Sequence, residues 1–299
     1  MTAPRNPSIL GSAIVEAFQR DGYYLHRGLF DRAVAEEACT WFKSQDQNAL
    51  AKSWTEQEPG VPLAVFTVVH TGDHPIARIA SDRRMLDMAG ELMGKPVYIW
   101  ASKINVKAAW CGTVEYYHQD LVYWKDRGYP RPDMLSCMVF LDPHTLRNAA
   151  LHVLPGTHRC GFIEHMPFIN VNGLAKCMVS PADMDRLYRE HGLAVVEGEP
   201  GDVLFFHACL VHGSSHNISP RSRMILLSQL NTVGNEPPDV SINARQFNLR
   251  RAEMEVREAE RRLAWFKRKY EAQLKSDQLT FSPPIPDQER ARSSQTDQP

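Results

Sequence analysis

Few residues in this chain have types and spacing that could do chemistry. In Tyr116-Tyr117-His118-Gln119-Asp120 an extended backbone turns residues i and i+2 to one side, so His118 and Asp120 can offer an imidazole nitrogen and a carboxylate oxygen to one metal ion. Two ligands do not make a site. Val211-His212-Gly213-Ser214-Ser215-His216, far along the chain, supplies a third in His212 if the fold brings the two segments together. Two His and one carboxylate on one face leave the opposite face open, which suits mononuclear non-haem iron(II) that must take a co-substrate and O2 together. Zinc accepts the same three ligands, usually as a hydrolytic site holding a water. The distinction rests on Arg223, on the strand expected after His212. A buried guanidinium there can grip a carboxylate with two parallel hydrogen bonds, which a dicarboxylic 2-oxo acid requires and a hydrolytic zinc site does not. His207 and His216 compete with His212, but His207 has the opposite strand parity and His216 falls past the strand. Arg221 competes with Arg223, and the apolar run Met224 to Leu227 places Arg223 further inward.

Helices and short strands must position these groups. Ser8 can cap a helix through Arg20 that Asp21-Gly22 breaks; a second helix is expected over Asp31–Ser44, and a third after a Ser81-Asp82 cap until Gly94-Lys95-Pro96. From there the texture changes to short apolar runs separated by turn residues: Val97–Val106, Val114–Gln119, Met134–Leu141, Leu151–Leu154, Leu193–Val196, Val203–His207 and Met224–Asn231. Strands without intervening helices predict an antiparallel sandwich or barrel. Gly201-Asp202 reads as a turn into the strand Val203–His207. The domain reading is an N-terminal helical region over 1–96, a core over 97–236 with a lid-like insertion over 160–192, a charged helix within 237–281, and a disordered tail over 282–299. The helix of about Ala244–Lys275 carries Val256, Ala259, Leu263, Phe266, Tyr270 and Leu274 along one stripe; it is expected to pack outside the core or to serve a homodimer.

Composition sets outer bounds. The 299 residues hold 34 Lys+Arg against 35 Asp+Glu, a net charge of −1, which argues against coating nucleic acid or an anionic membrane through overall charge. No apolar stretch approaches the roughly 18–20 residues of a membrane span, and Met1 to Ser8 has no secretory apolar region behind it. Six scattered cysteines without a CxxC pair argue against a zinc knuckle or disulfide framework and suit a reducing cytosol. The expectation is a cytoplasmic protein acting on a small molecule, without nucleic-acid or membrane partners.

Taken together, HxD at His118–Asp120, Leu154-Pro155-Gly156-Thr157-His158, and His212-Gly213-Ser214 followed by Arg223 resemble the phytanoyl-CoA dioxygenase-like family of Fe(II)/2-oxoglutarate oxygenases, from Asp21-Gly22-Tyr23 through Asn231. The resemblance implies a mainly β fold, a double-stranded β-helix (jelly-roll) with N-terminal helices and the C-terminal helix outside. It implies Fe(II), 2-oxoglutarate and O2, with hydroxylation of an unactivated C–H bond and release of succinate and CO2. His118, Asp120 and His212 would be the iron ligands, and Arg223 with Ser214 would hold the distal carboxylate of 2-oxoglutarate. The layout is similar to ectoine hydroxylases, in which positions matching Asn105 and Ser136 assist co-substrate binding and Trp124 matches an aromatic substrate contact. Tyr116 and Tyr123 are further expected pocket residues. The chain departs from that subgroup at Ala101, where a glutamine is expected, and in His118-Gln-Asp-Leu-Val-Tyr-Trp-Lys125 against HSDFETWH. Other readings are a cupin-like hydrolase or isomerase that ignores 2-oxoglutarate, and a non-catalytic jelly-roll binding module.

Overall fold

The computed structural model describes residues 9–45, 65–67, 69–125, 128–169, 175–237, 260–261, 263–265 and 267–268. The chain divides into two units, Met1–Arg251 and Ala252–Pro299. The described residues of the second unit are helical. The packing of the C-terminal helix, its use in a dimer and the state of the tail lie outside the described residues.

In the first unit, α1 (Ser12–Asp21) begins after Gly11 rather than at Ser8 and closes on Gly22 at φ 80°. Gly22 has a second constraint, since a Cβ there would strike the ring of His158 at 2.4 Å. β1 (Tyr23–His26) follows, then α2 (Arg32–Ser44), β2 (Val65–Thr67) and α3 (Pro75–Ala80). α4 (Arg83–Met93) has the expected Asp82 cap, whose carboxylate accepts from Arg84 N, and ends on left-handed Gly94. β1, β2 and α3 were not foreseen; they are too short to show a period.

The expected strands follow as β3 (Val97–Lys107), β4 (Glu115–His118), β5 (Met134–Phe140), β6 (Leu151–Val153), β9 (Ala194–Val196), β10 (Val203–His207) and β12 (Arg223–Thr232). Between them lie β7 (His165–Ile169), β8 (Ala175–Val179), α5 (Pro181–His191) and β11 (His212–Ser214). Every pairing is antiparallel, with a six-stranded sheet β1-β10-β5-β12-β3-β2, a four-stranded sheet β4-β11-β6-β9 and the hairpin β7-β8.

Both faces of the large sheet are covered. Ile104, Leu135, Cys137, Val139, Val203, Phe205, Met224 and Leu226 pack outward with Phe18, Ala35, Phe42, Met85 and Leu92 of the helices. Met138, Phe140, Leu204, Phe206, Ile225 and Leu227 face inward with Leu151, Val153 and Val196 of the small sheet. Each such side chain contributes roughly 1.5–3 kcal/mol relative to an exposed one. β5 and β12 are therefore buried along their whole length. The β10 turn is equally tight: Gly201 sits at φ 96°, and a Cβ there would lie 2.0 Å from the Phe30 carbonyl oxygen. Asp202 then accepts from Gly28 N (2.8 Å) and Glu199 N (3.0 Å).

Candidate metal centre

β4 and β11 pair so that His118 stands opposite His212, with ring centroids 4.4 Å apart. β4 stops at His118, Gln119 stays extended, and Asp120 opens a 3-10 turn over Asp120–Tyr123. The i, i+2 relation thus survives one step past the strand. One ligand atom from each of His118, Asp120 and His212 lies within 4.8 Å of the others, and the Nε2 of each histidine is 3.7 Å from Asp120 Oδ1. All three residues are buried.

The remaining atoms of the triad are already committed. His118 Nδ1 donates to the Tyr116 carbonyl (2.7 Å) and His212 Nδ1 to that of Leu210 (2.9 Å). A carbonyl only accepts, so Nδ1 carries the hydrogen and Nε2 presents a lone pair. Asp120 Oδ2 accepts from Ser136 Oγ (2.7 Å), which leaves Oδ1 for the shared point. Burial and neighbouring His118 push the His212 imidazolium down to about 4, so the ring is neutral near pH 7. Burial opposes ionisation of Asp120, but His212 and His118 outweigh it and hold the carboxyl well below the usual range. Two neutral nitrogens and one carboxylate oxygen, convergent and held from behind, fit a divalent first-row metal such as iron(II).

Gln119, between the two ligands, points the other way. It is fully buried; its Nε2 donates to the carbonyls of Gly161 (2.8 Å) and Cys209 (2.7 Å), its Oε1 accepts from Ile163 N (2.9 Å), and its own N donates to His165 Nε2 (2.9 Å).

In the small sheet, strand parity fails between β4 and β11. Between His212 and Ser214 the β11–β4 register shifts, so Gly213 faces both Tyr116 and Tyr117. A bulge changes which side chains face inward. Tyr116, expected in the pocket, is exposed and packs edge-on against Phe168. Glu115 turns inward instead and pairs with Lys176 of β8 at 2.9 Å. Burial disfavours the Glu115 anion, but Lys176 and then His118 outweigh this and bring its carboxyl to about 2. Gly213 is required here, since a Cβ would lie 2.9 Å from the Glu115 carbonyl oxygen.

A line of polar groups leads from the triad. Lys103, Asn105 and Lys107 share one face of β3, opposite Leu227, Ile225 and Arg223 of β12. Arg223 is buried and keeps its charge, burial lowering its pKa only to about 10; its Nη1 donates to the Ala149 carbonyl and its Nε has no partner. Lys107 Nζ donates to Ser214 Oγ (2.8 Å) and the Ser215 carbonyl (2.7 Å), and burial together with Arg223 lowers its pKa to about 7. Asn105 Oδ1 is buried without a partner among the described residues. Burial lowers the Lys103 pKa, opposed first by Asp120. Lys103 and Lys107 are partly accessible, whereas Arg223 beside them is buried.

The fold brings His118, Asp120 and His212 together; strand pairing sets Arg223 beside Lys107, which donates to Ser214, and Asn105 lies between Lys107 and Lys103 on β3. Ser136, expected beside the co-substrate, donates its O–H to Asp120 Oδ2 and so touches the triad itself. Tyr123 packs edge-on against His118 (5.6 Å), and its hydroxyl accepts from Cys177 N (3.3 Å). Trp124 is 2% exposed, in a cluster with Leu121, Met134, Ala208, Cys209 and, edge-on, Trp100. His207 faces His158, while Arg221 and His216 are exposed. Sequence reasoning missed Lys103, Lys107, Glu115 and Lys176. The one available signal was the alternation Lys103-Ile104-Asn105-Val106-Lys107, which ordinarily marks a solvent-facing strand.

A jelly roll that holds two imidazoles and a carboxylate at one end, with buried and partly buried cations along the adjoining strands, has the form of a 2-oxoglutarate-dependent iron dioxygenase. The family model "Phytanoyl-CoA dioxygenase (PhyH)" matches residues 18–225, and the chain belongs to that family. It is 31% identical over 241 residues to the ectoine dioxygenase of Sphingopyxis alaskensis, covering 77% of this chain and 78% of that one. It is also 31% identical over 179 residues to the L-proline trans-4-hydroxylase of Streptomyces griseoviridis, covering 56% of this chain and 67% of that one. The crystal structure of EctD from S. alaskensis with 2-oxoglutarate and 5-hydroxyectoine superimposes with a TM-score of 0.67 at 28% identity, over 80% of this chain and 82% of that one.

Proposed function

We propose that this enzyme hydroxylates an unactivated C–H bond of a small-molecule metabolite other than ectoine, with iron(II) held by His118, Asp120 and His212. The carrying observation is the conjunction of the convergent triad with buried Arg223 and partly buried Lys107, two cations side by side across β12 and β3 that form no ion pair among the described residues. A hydrolytic zinc site has no use for that pair, whereas a dicarboxylate co-substrate does.

Bound iron would supply O2 activation coupled to conversion of 2-oxoglutarate to succinate and CO2. The protein's own part is position and exclusion of water. Arg223 and Lys107, the latter steadied by Ser214, receive the far carboxylate; Asn105 and Lys103 lie toward the triad, where the 2-oxo acid end belongs. Ser136 keeps Asp120 turned so that one oxygen faces the metal. Tyr123 flanks the metal site beside His118, and Trp124 belongs to the apolar cluster that supports it.

Substitution of Ala101 for the glutamine of ectoine hydroxylases, and Leu121-Val122-Tyr123 after the HxD, support a different substrate. We read 160–192 as a cover, since β8 supplies Lys176 and the Cys177 amide to the site's rim. A reducing cytoplasm suits the six free cysteines. No helix among the described residues is long and apolar enough to cross a membrane.

The test is anaerobic titration of the protein with Fe(II) and 2-oxoglutarate, following the weak metal-to-ligand visible band. The band is expected in the native protein and lost in Asp120→Ala. A native protein that forms no band, or a band indifferent to Asp120→Ala and Arg223→Met, would overturn the assignment.

A further inference from the structure

The side chains around the triad carry more positive charge than iron and its co-substrate can use. Lys103, Lys107, Lys176 and Arg223 stand against Glu115 and Asp120. The histidine ligands are neutral when they bind metal, and the two charges of iron(II) cancel those of the 2-oxoglutarate dianion. Asp142, which acts on Arg223 while its own oxygen accepts from Met224 N (2.9 Å), offsets one cation. With all four basic groups protonated, one positive charge is left over when iron and 2-oxoglutarate are in place. In a site poor in water such an excess costs free energy unless an anion completes it.

Its location is set by what each cation already does. Arg223 and Lys107 stand together at the far end of the line, and Lys103 is the lysine that Asp120 acts on most directly. Lys176 enters from another element, β8, beside Tyr123. Its side chain and that of its partner Glu115 keep 27% and 38% of their surface accessible, although burial is the largest influence on Glu115. Lys176 Nζ has three hydrogens, of which one goes to Glu115 Oε1.

We infer that the substrate carries an anionic group, a carboxylate or a phosphate, which docks on Lys176 with Glu115 holding the ammonium in place. This rests on the dioxygenase reading and adds to it the substrate's chemical class and a specificity-determining residue on the β7-β8 hairpin. The geometry also separates this role from a structural one. If the Glu115–Lys176 pair only fastens the hairpin, removing either partner has the same effect. If Lys176 is the receptor, Lys176→Met weakens anion binding, and Glu115→Gln, which frees the ammonium, keeps or strengthens it.

The experiment is a panel of anionic, zwitterionic, neutral and cationic metabolites added anaerobically to the enzyme loaded with Fe(II) and 2-oxoglutarate. Binding is read from the change in the visible band, and equilibrium dialysis with iron-free protein gives an independent measure. Compounds that bind should bear a carboxylate or phosphate, which the matched amide or alcohol of each hit tells apart. Lys176→Met should weaken the hit about tenfold or more, as loss of a charge-assisted hydrogen bond does, with 2-oxoglutarate affinity unchanged. Lys176→Arg should restore much of it, and Glu115→Gln should not weaken it. Hits confined to neutral or cationic compounds, or equal losses in Lys176→Met and Glu115→Gln, would overturn the inference. A missing band in the native enzyme would instead overturn the dioxygenase reading.

Discussion

Asp120 and Lys107 show how much at this site depends on single atoms. Asp120 gives Oδ2 to Ser136 and keeps Oδ1 for the point it shares with the two histidines, so Ser136→Ala should loosen the carboxylate without removing a ligand. We expect about a tenfold to hundredfold loss in iron affinity for Ser136→Ala, measured by metal titration, since partners that orient metal ligands carry effects of this size. Lys107 brings a pH dependence. Its pKa of about 7 in the free protein means the ammonium is full below pH 7 and is lost above it, while a bound dianion holds the proton on. Affinity for 2-oxoglutarate should therefore fall as pH rises through about 7, and in Lys107→Met it should be weaker throughout and flat over that range. Calorimetric titration across about pH 6 to 9, a range that spans the free-protein transition, checks both.

At the scale of elements, strand boundaries were legible wherever apolar runs were framed by turn residues. What those strands presented to one another was not. The alternation on β3 reads as polar-out, and the sequence carries no sign that "out" here is the inside of a jelly roll, because that depends on helices covering the opposite face. Lys103 and Lys107 therefore looked like solvated lysines. The bulge at Tyr116–Tyr117 was likewise invisible, and through it Glu115 replaced Tyr116 on the inner face. The triad was legible because HxD needs only two neighbouring residues, and Arg223 because a following apolar run marks it as inward. Gly213 ties the bulge to the metal. Gly213→Ala should force β4 and β11 apart at about 1–3 kcal/mol, the usual cost of overpacking. Because His212 is the adjacent residue, iron titration should show weaker binding alongside the lower Tm.

For the whole molecule, the large sheet joins the two cores, and the metal residues lie on the small sheet that the inner core supports. Metal binding should thus report on the entire first unit. Saturation with Fe(II) at about a hundred times its Kd should stabilise the fold by roughly 2.7 kcal/mol, seen as a rise in Tm of about 5–10 °C under anaerobic conditions and absent in Asp120→Ala. An antiparallel sandwich or barrel was readable from strand succession and turn residues, and the resemblance carried by the family motifs narrowed it to a jelly roll. The β7-β8 hairpin was not readable, since it pairs only with itself and shows in sequence as one long connection. Gln119 carries a consequence for anyone who would re-engineer this enzyme by exchanging segments with a relative. Its amide satisfies backbone groups of Gly161, Ile163 and Cys209 at once, so the residue between the two ligands belongs to a joint among three stretches of chain. Grafting the serine found there in ectoine hydroxylases would strand two carbonyls and an N–H in the interior, at about 1–3 kcal/mol each. The HxD motif is portable only together with the 161–163 loop and the Cys209 turn that were shaped around this glutamine.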